Sequence, residues 1–313
     1  IYAMVRWWLE QGIDGFRLDA ISHIEKAPWD FEIKSFKDND PWEPFMNVAG
    51  IEAYMAEFKK IFDEFDALTV GEASGVSSKE APNWTDDQGY IDMIFELEHT
   101  VKDDEGQGDL ISFKDTIMRW QEDLLDRGWN APYLENHDQP RVIDVLGDGT
   151  KASAKALAVA YMLLRGTPFI YQGQEIGMTN CPLEMDEWKD YEAINDHIVL
   201  QEMMHLPKFI SKKVIQKMTR DHARTPMQWT SGEYSGFSTV TPWIKLNPNY
   251  KWINVQHELE NENSLIDFYK GLIFLRKESL ALIYGSYTPI ERENKQVIAY
   301  IREFDQDKLL VLI

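Results

Sequence analysis

Short apolar strands alternate with helical segments along most of this chain, and that alternation limits the folds it can adopt. Each strand-like stretch is followed by residues whose apolar positions recur every three or four places, as on one face of a helix. Parallel strands require crossovers of this kind, so the pattern predicts a parallel β-sheet covered by helices. A doubly wound sheet and a closed barrel both satisfy it. The predicted strands are 15–20, 67–72, 90–97, 131–136 and 168–172.

Polar side chains stand where these predicted strands end. They are Asp19, Glu72, the pair His137 and Asp138, and Gln172. The carboxyl ends of the strands of a (β/α)8 barrel form its active-site face, which favours the barrel over the open sheet. The predicted fold class is therefore an α/β TIM barrel, (β/α)8, of which this chain supplies the five C-terminal β/α units, strands 4 to 8.

Helical periodicity and turn signals define the other predicted elements. The predicted helices are 1–9, 51–65, 112–125, 151–164 and 265–277. Ser112 followed by Asp115 is the predicted start signal of the third of these helices. Strand-like segments are predicted at 284–290, 296–302 and 309–313. A long aromatic loop at 22–47 is expected to be functional, since loops of that length are uncommon in compact domains.

These elements divide into two predicted domains. Residues 1–280 form the partial catalytic barrel, with a long tryptophan-rich insertion after strand 8 at about 178–262. Residues 281–313 begin a C-terminal β-sandwich domain. Because the helical pattern is already running at residue 1, we interpret the chain as a fragment that lacks the first three strands. A barrel without them cannot close, so we predict that residues 1–313 alone are inactive.

Charge and cysteine content restrict the partners. A formal net charge of -21 at pH 7 disfavours nucleic acid and anionic membranes, because the protein repels both. No apolar run is long enough to span a bilayer, and no signal peptide opens the chain. Cys181 is the single cysteine, which suits a reducing compartment and predicts a cytoplasmic protein. We expect a monomer or a weak homodimer.

The strand 15–20 places an acid and a base together. Alternate side chains of a strand face opposite ways, so Arg17 and Asp19 share one face while Phe16, Leu18 and Ala20 share the other. Burying charged side chains is costly unless they pair. The pair is therefore either a structural ion pair or part of an active site.

Carboxylates at three successive strand ends suit glycosidic bond cleavage. Asp19, held ionised by Arg17, is the candidate nucleophile. Glu72 follows an apolar strand, and partial desolvation there should raise its pKa toward that of a general acid. Asp138 could stabilise positive charge at the sugar. Each residue alone has an ordinary explanation as a cap or loop acid, and a metal site at 135–138 is disfavoured because adjacent residues lack ligand spacing.

Five sequence blocks closely resemble conserved regions of glycoside hydrolase family 13, the α-amylase family. Three carry the acids: GIDGFRLDA at 12–20, TVGEA at 69–73 and LENHDQPR at 134–141. Two more, FIYQGQEIGM at 169–178 and ARTPMQW at 223–229, are similar to the oligo-1,6-glucosidase and α-glucosidase branch. The blocks occur in the family's order along nearly the whole chain.

The resemblance assigns roles to individual residues. It implies Asp19 as nucleophile, Glu72 as acid/base and Asp138 as transition-state stabiliser in a retaining mechanism. It implies Arg17 as the partner of the nucleophile, and His137, Arg141 and Arg224 as ligands of the sugar. The implied substrate is a small oligosaccharide, and no cofactor is required. The family's calcium loop, its B domain and its first three β/α units correspond to nothing in this sequence, so calcium would bind through residues outside it.

Ala20 bears on the linkage that is cut. In the resembling branch, valine after the nucleophile accompanies α-1,6 cleavage and a smaller residue accompanies α-1,4, so Ala20 predicts an exo-acting α-1,4-glucosidase on maltose and malto-oligosaccharides. An oligo-1,6-glucosidase, a transglucosylase and a sucrose isomerase of the same branch are the alternatives. The sucrose isomerase is disfavoured because 141–145 lacks the arginine-rich loop of those enzymes. A transporter heavy-chain scaffold is disfavoured because all three acids are present and no membrane span is visible.

Overall fold

The structure, a computed structural model, describes residues 1–28, 30, 43–100 and 109–313. The aromatic loop predicted at 22–47 lies partly outside the described residues. Within the described part of the chain, no helix is both long and apolar enough to cross a membrane.

A three-stranded parallel sheet forms the centre of the N-terminal half. Its strands are β1 (Gly15–Leu18), β2 (Leu68–Glu72) and β3 (Met93–Phe95), in the order β1-β2-β3. Gly15 pairs with Leu68 in the first register and Glu72 pairs with Phe95 in the second. All three strands are shorter than predicted: β1 ends before Asp19, β2 begins one residue later, and β3 keeps only the centre of the predicted 90–97.

Two further extended segments continue this sheet without forming regular strands. Asn130 bridges in parallel to Ile94, and the Ala131 amide donates to the Ile94 carbonyl. The segment at 167–169 then donates to the carbonyls of residues 130 and 132. The predicted strands at 131–136 and 168–172 are thus present as extended chain in the predicted order. Pro132 and Pro168 have no amide hydrogen, which removes donors that a regular ladder needs.

Helices cover the sheet and build the rest of the chain. The α-helices in the N-terminal half and centre are α1 (Tyr2–Glu10), α2 (Ile51–Phe65), α3 (Ala81–Thr85), α4 (Leu110–Asp123), α5 (Val142–Val145) and α6 (Lys151–Met162). They are followed by α7 (Tyr191–Glu202), α8 (Lys208–Met218), α9 (Asp221–Arg224), α10 (Val255–Glu260), α11 (Leu265–Glu278) and α12 (Leu280–Ile283). Single 3-10 turns lie at Ile21–His23, Glu43–Phe45, Glu98–Thr100, Gln174–Ile176, Met185–Glu187, Glu233–Gly236 and Pro248–Lys251.

The start of α4 differs from its prediction. Asp109 caps this helix, and its carboxylate accepts the Ile111 amide and the Ser112 hydroxyl. Ser112, the predicted cap, therefore lies inside the first turn. An aspartate in extended backbone outcompetes the serine because its acceptor reaches the free amides of the first turn directly.

Two large apolar cores and two smaller clusters hold the described elements together. The first lies between the parallel sheet and helices α1 and α2, with Val5, Met55 and Phe62 among its buried side chains. The second joins α4, α6 and α11, where Met118 and Tyr161 are buried. Burying a side chain of this size contributes about 1.5–3 kcal/mol, so the two cores account for much of the stability.

A small antiparallel sheet completes the described chain. Its strands are β4 (Ser286–Ile290), β5 (Ala299–Phe304) and β6 (Asp307–Leu312), in that order. Lys114 of α4 anchors it by donating to the carbonyls of Glu291, Asn294 and Val297 at 2.5–2.9 Å. Arg302 of β5 donates to the Leu163 carbonyl at 2.8 Å. The domain division near residue 280 stays a prediction.

Candidate active site

The inner face of the parallel sheet begins with Arg17. Its neighbours on β1, Phe16 and Leu18, pack against the core shared with α1 and α2, so Arg17 points to the opposite side. The register places Arg17 beside Val70 of β2, and Glu72 follows two residues later on the same face. The alternation read from the sequence is therefore what brings these two charged side chains together.

One guanidinium holds two carboxylates. Arg17 binds Asp19 Oδ1 through Nη1 and Glu72 Oε2 through Nη2, the latter at 2.6 Å. The Asp19 side chain is 76% exposed, whereas that of Glu72 is 21% exposed. The hydrogen bond from Arg17 lowers the pKa of Asp19, burial opposes the effect, and the nearby His137 adds to it. Asp19 is thus an open, ionised carboxylate, while Glu72 lies deeper.

Ala20 lies between these acids in an unusual conformation. Its backbone is left-handed, with φ of 44° and ψ of 39°, and its amide faces Glu72 Oε2 at 3.4 Å. Left-handed backbone disfavours residues with a Cβ and is a genuine outlier for β-branched ones. The turn that follows β1 therefore prefers a small residue at this position.

The second group of charges surrounds Asp138. The Asp138 backbone amide donates to Asn136 Oδ1 at 2.8 Å, and this bond closes a tight turn after the fourth extended segment. Its Oδ1 accepts Arg224 Nη2 at 2.6 Å, and its Oδ2 lies 3.1 Å from His137 Nε2. Arg224 also donates from Nε to the His137 carbonyl at 2.9 Å. The predicted residues at 137, 138 and 224 therefore form one cluster, with His137 close enough to affect Asp19.

Arg141 does not belong to the open part of the site. It is fully buried, and its guanidinium donates to Glu135 Oε1 at 3.0 Å and to the Gln172 carbonyl at 2.8 Å. It also lies 5.1 Å from the Tyr171 ring centroid and reaches the Ala223 carbonyl at 3.4 Å. Arg141 thus joins the segments that carry Asp138 and Arg224. That it binds sugar directly stays a prediction; in this structure its two terminal nitrogens donate to groups inside the protein.

The carboxylate that faces Arg141 belongs to Glu135, whose pKa is changed by burial. Glu135 is buried, and burial raises its pKa, although the charge of Arg141 and the Val142 amide at 2.6 Å both oppose the rise. The sequence placed Glu135 only in a disfavoured metal site. Within the described ranges, no group of three or more His, Cys, Asp or Glu side chains could hold a metal ion.

Arg220 is a member of the cluster that the sequence reading missed. Its Nη1 lies 3.8 Å from Asp138 Oδ1, and its Nη2 binds Asp190 at 2.6 Å and Glu192 at 3.1 Å. Arg220 precedes Arg224 by four residues, a spacing that puts both side chains on one side of a helical turn. That spacing was the available signal.

Aromatic rings wall the inner face beside Glu72. Phe95, its partner in the register, lies 5.3 Å from the Tyr133 ring and 4.8 Å from the Phe169 ring, both edge-on. Burial raises the pKa of Tyr133 well above its ordinary value, so this phenol stays neutral. The acids therefore stand at the rim of an apolar interior, where electrostatic interactions are stronger than in water.

Comparison with known proteins gives this geometry a family. The Alpha-amylase family, described as alpha amylase, catalytic domain, matches residues 1–285. The chain belongs to the α-amylase family, glycoside hydrolase family 13. The fold class predicted from the sequence is confirmed: the parallel sheet is the part of a (β/α)8 barrel that this chain contains.

Individual relatives refine the comparison. A probable oligo-1,6-glucosidase 3 of Bacillus subtilis is 42% identical over 99% of this chain, and an oligo-1,6-glucosidase of Bacillus cereus is 40% identical over all of it. Among solved structures, a trehalulose synthase MutB mutant superposes with a TM-score of 0.93 at 34% identity, covering 99% of this chain and 59% of its own. The chain spans 58% and 59% of the lengths of the two Bacillus relatives.

Proposed function

We propose that the protein is a retaining, exo-acting α-glucosidase on short oligosaccharides, with Asp19 as nucleophile and Glu72 as acid/base. The observation that carries the proposal is the shared guanidinium of Arg17, which holds one carboxylate at each of two nitrogens. Two carboxyl groups bound to one guanidinium lie close together. This arrangement suits a retaining mechanism, since inverting enzymes leave about 6.5–9.5 Å between the two carboxyl groups for a water molecule.

The proposed reaction has two displacements. Glu72 gives its proton to the leaving glycosidic oxygen while an Asp19 oxygen attacks the anomeric carbon, which breaks the glycosidic bond and forms a glucosyl ester. A water molecule then attacks the same carbon, Glu72 takes its proton, and the ester bond to Asp19 breaks. Asp138 stabilises the positive charge that develops on the sugar in both steps.

Exposed donors beside Asp138 are the proposed sugar ligands. The side chains of His137 and Arg224 are 50% and 33% exposed, so both present polar atoms to the open face. Arg17 is the proposed partner of the nucleophile, and Arg141 is left out of the ligand set because it is buried.

Two observations bear on the linkage that is cut: Ala20 favours α-1,4 bonds, and the names of the relatives favour α-1,6 bonds. We propose cleavage of α-1,4 bonds, since a methyl group beside the acids leaves more space than a valine would, although one or two methyl groups change specificity by only about 1–3 kcal/mol. An α-1,6 specificity is the second candidate, favoured because relatives at 36–42% identity are named oligo-1,6-glucosidases. Rates on maltose and isomaltose, measured with the full-length polypeptide, distinguish the two.

Asp19→Asn provides the test of mechanism. The substitution should abolish turnover of an aryl α-glucoside while leaving the unfolding temperature nearly unchanged, because the side chain is exposed. The matched control is Asp63→Asn, an exposed helical aspartate paired with Lys59. NMR of the first-formed glucose should show the α anomer. Undiminished turnover by Asp19→Asn, or β-glucose as first product, would refute the proposal.

One neighbouring reaction and one inert role are outcomes of the same assays. A transglucosylase would accumulate longer or isomeric sugars at high maltose, because a sugar hydroxyl can replace water in the second step. Full-length protein without any glycosidase or transferase activity would favour a scaffold. A cytoplasmic location belongs to the proposal, and so does the inactivity of residues 1–313 alone.

A further inference from the structure

Arg220 connects the start of helix α7 to the acid cluster. Its backbone amide donates to Asp190 Oδ2 at 3.0 Å, and its Nε and Nη2 donate to Asp190 Oδ1 at 3.0 Å and 2.6 Å. Asp190 is buried and caps α7, where it also accepts the Glu192 amide at 3.2 Å. Three donors from one arginine on one carboxylate fix the guanidinium firmly in place.

A reciprocal contact locks the same two segments. Asp221, the residue after Arg220, accepts the amides of Lys189 and Asp190 at 2.8 Å and 3.1 Å. Asp221 is itself buried. The chain before α7 and the chain at α9 are therefore held together from both sides, so the position of Arg220 follows the start of the inserted helices.

The remaining nitrogen of Arg220 faces the proposed transition-state stabiliser. Nη1 lies 3.8 Å from Asp138 Oδ1, the same oxygen that accepts Arg224 Nη2 at 2.6 Å. Two positive charges on one oxygen leave Oδ2 to His137 and the open face. The Asp138 carboxylate thus has two arginine partners, a hydrogen bond from Arg224 and an ion pair with Arg220, and only Arg224 was expected.

We propose that Arg220 is a positioning residue for the reaction. Asp190, the cap of α7, fixes the Arg220 guanidinium, and Arg220 Nη1 in turn orients the Asp138 carboxylate. This inference rests on the proposed function. Arg220 acts through Asp138 on the charge of the transition state. Its loss should therefore lower kcat with little change in KM, because Asp138 makes its main contribution when positive charge develops on the sugar.

The test compares three variants of the full-length polypeptide on an aryl α-glucoside and on maltose. Arg220→Gln should lower kcat by roughly 10- to 100-fold on both substrates, the range expected when a reacting group is displaced slightly. Arg220→Lys should not restore kcat, since an ammonium cannot bind Asp190 and Asp138 in one plane. Lys212→Gln, which breaks an exposed pair with Glu184 in the same insertion, is the matched control and should leave kcat unchanged.

A double variant separates positioning from simple support of the fold. Arg220→Gln leaves the Asp190 charge buried without its partner, which should lower the unfolding temperature. Adding Asp190→Asn removes that charge and should restore the unfolding temperature while kcat stays low. Recovery of kcat together with stability would show that Arg220 is only structural and would overturn the inference.

The outcomes also separate this inference from the proposed function. If the full-length protein without substitutions cleaves no α-glucoside, both the proposed function and the role of Arg220 are refuted. An active protein whose Arg220→Gln variant keeps its kcat would refute the role of Arg220 alone.

Discussion

Replacing Arg141 by methionine tests whether this residue supports the site from within or touches the sugar. In the structure, its side chain is 0% exposed and its partner carboxylate on Glu135 is 2% exposed. Removing one member of a buried ion pair costs about 3–5 kcal/mol, because the other charge is left unsolvated. Domains of this kind are stable by only about 5–15 kcal/mol, so Arg141→Met should lower the unfolding midpoint steeply.

The loss should depend on pH, and its sign follows from Glu135. Burial raises the pKa of Glu135 in the folded protein from an ordinary value of 4.5. At pH values between the ordinary pKa and the raised pKa of the folded protein, native Glu135 keeps a proton that the unfolded state has released. Stability therefore falls as pH rises through that window. Without Arg141 the folded pKa rises further, so the window extends upward. The deficit of Arg141→Met should therefore be smaller at about pH 5 than at about pH 8.

Urea denaturation of the full-length polypeptide at the two pH values measures the effect. Arg292→Met is the matched control, since its partner Glu122 is exposed and surface pairs contribute only about 0–1 kcal/mol. The double variant Glu135→Leu with Arg141→Met should regain the part of the loss that comes from the unpaired charge. A stable Arg141→Met protein with a raised KM for glucosides would show that the side chain reaches the substrate, against the structure.

Further substitutions test β1 and the turn after it. Gly15→Ala should cost about 1–3 kcal/mol or prevent folding, because its Cβ would stand 1.8 Å from the Leu68 carbonyl oxygen in the paired strand. Thermal unfolding against Gly271→Ala, a helical glycine whose added Cβ meets no atom within 4 Å, measures the clash itself. Ala20→Val should lower the unfolding temperature and Ala20→Gly should not, since only the β-branched residue is strained in left-handed backbone; equal temperatures would contradict that conformation. Arg17→Gln removes the main cause of the lowered pKa of Asp19, so the acidic limb of kcat/KM should move to higher pH, as pH–rate profiles can show; an unmoved limb would assign it to another group.

The sequence predicted the sheet and the acids because both depend on local patterns. Period-2 alternation on β1 placed Arg17 on the face opposite the core, and the end of each apolar run located Asp19 and Glu72. The α2 helix was predicted with its observed limits, 51–65, since its apolar stripe is uninterrupted. Strand lengths were overestimated because an apolar pattern does not show which residues pair with a neighbouring strand; in the predicted strand 90–97, only 93–95 do.

The roles of the arginines could not be predicted in this way. Arg141 follows Pro140 at the start of a helical turn, and nothing in its neighbourhood shows whether the side chain turns toward solvent or into the protein. Its depth depends on Glu135, Gln172 and Ala223, which lie as far as 82 residues away. Tertiary contacts of that separation leave no period or spacing in the sequence.

A chain with a formal charge of -21 gathers its proposed catalytic acids at one face, where they would repel one another. Arginines offset this repulsion locally: Arg17 joins the proposed nucleophile to the proposed acid/base, and Arg224 binds Asp138 with Arg220 as a second positive charge nearby. Guanidinium groups suit this task better than lysine, because each offers several donors in a fixed plane. Arginines therefore set the spacing of the acids, although acidic residues dominate the composition. Substituting these arginines should alter the geometry of the acids more than it alters the overall surface charge.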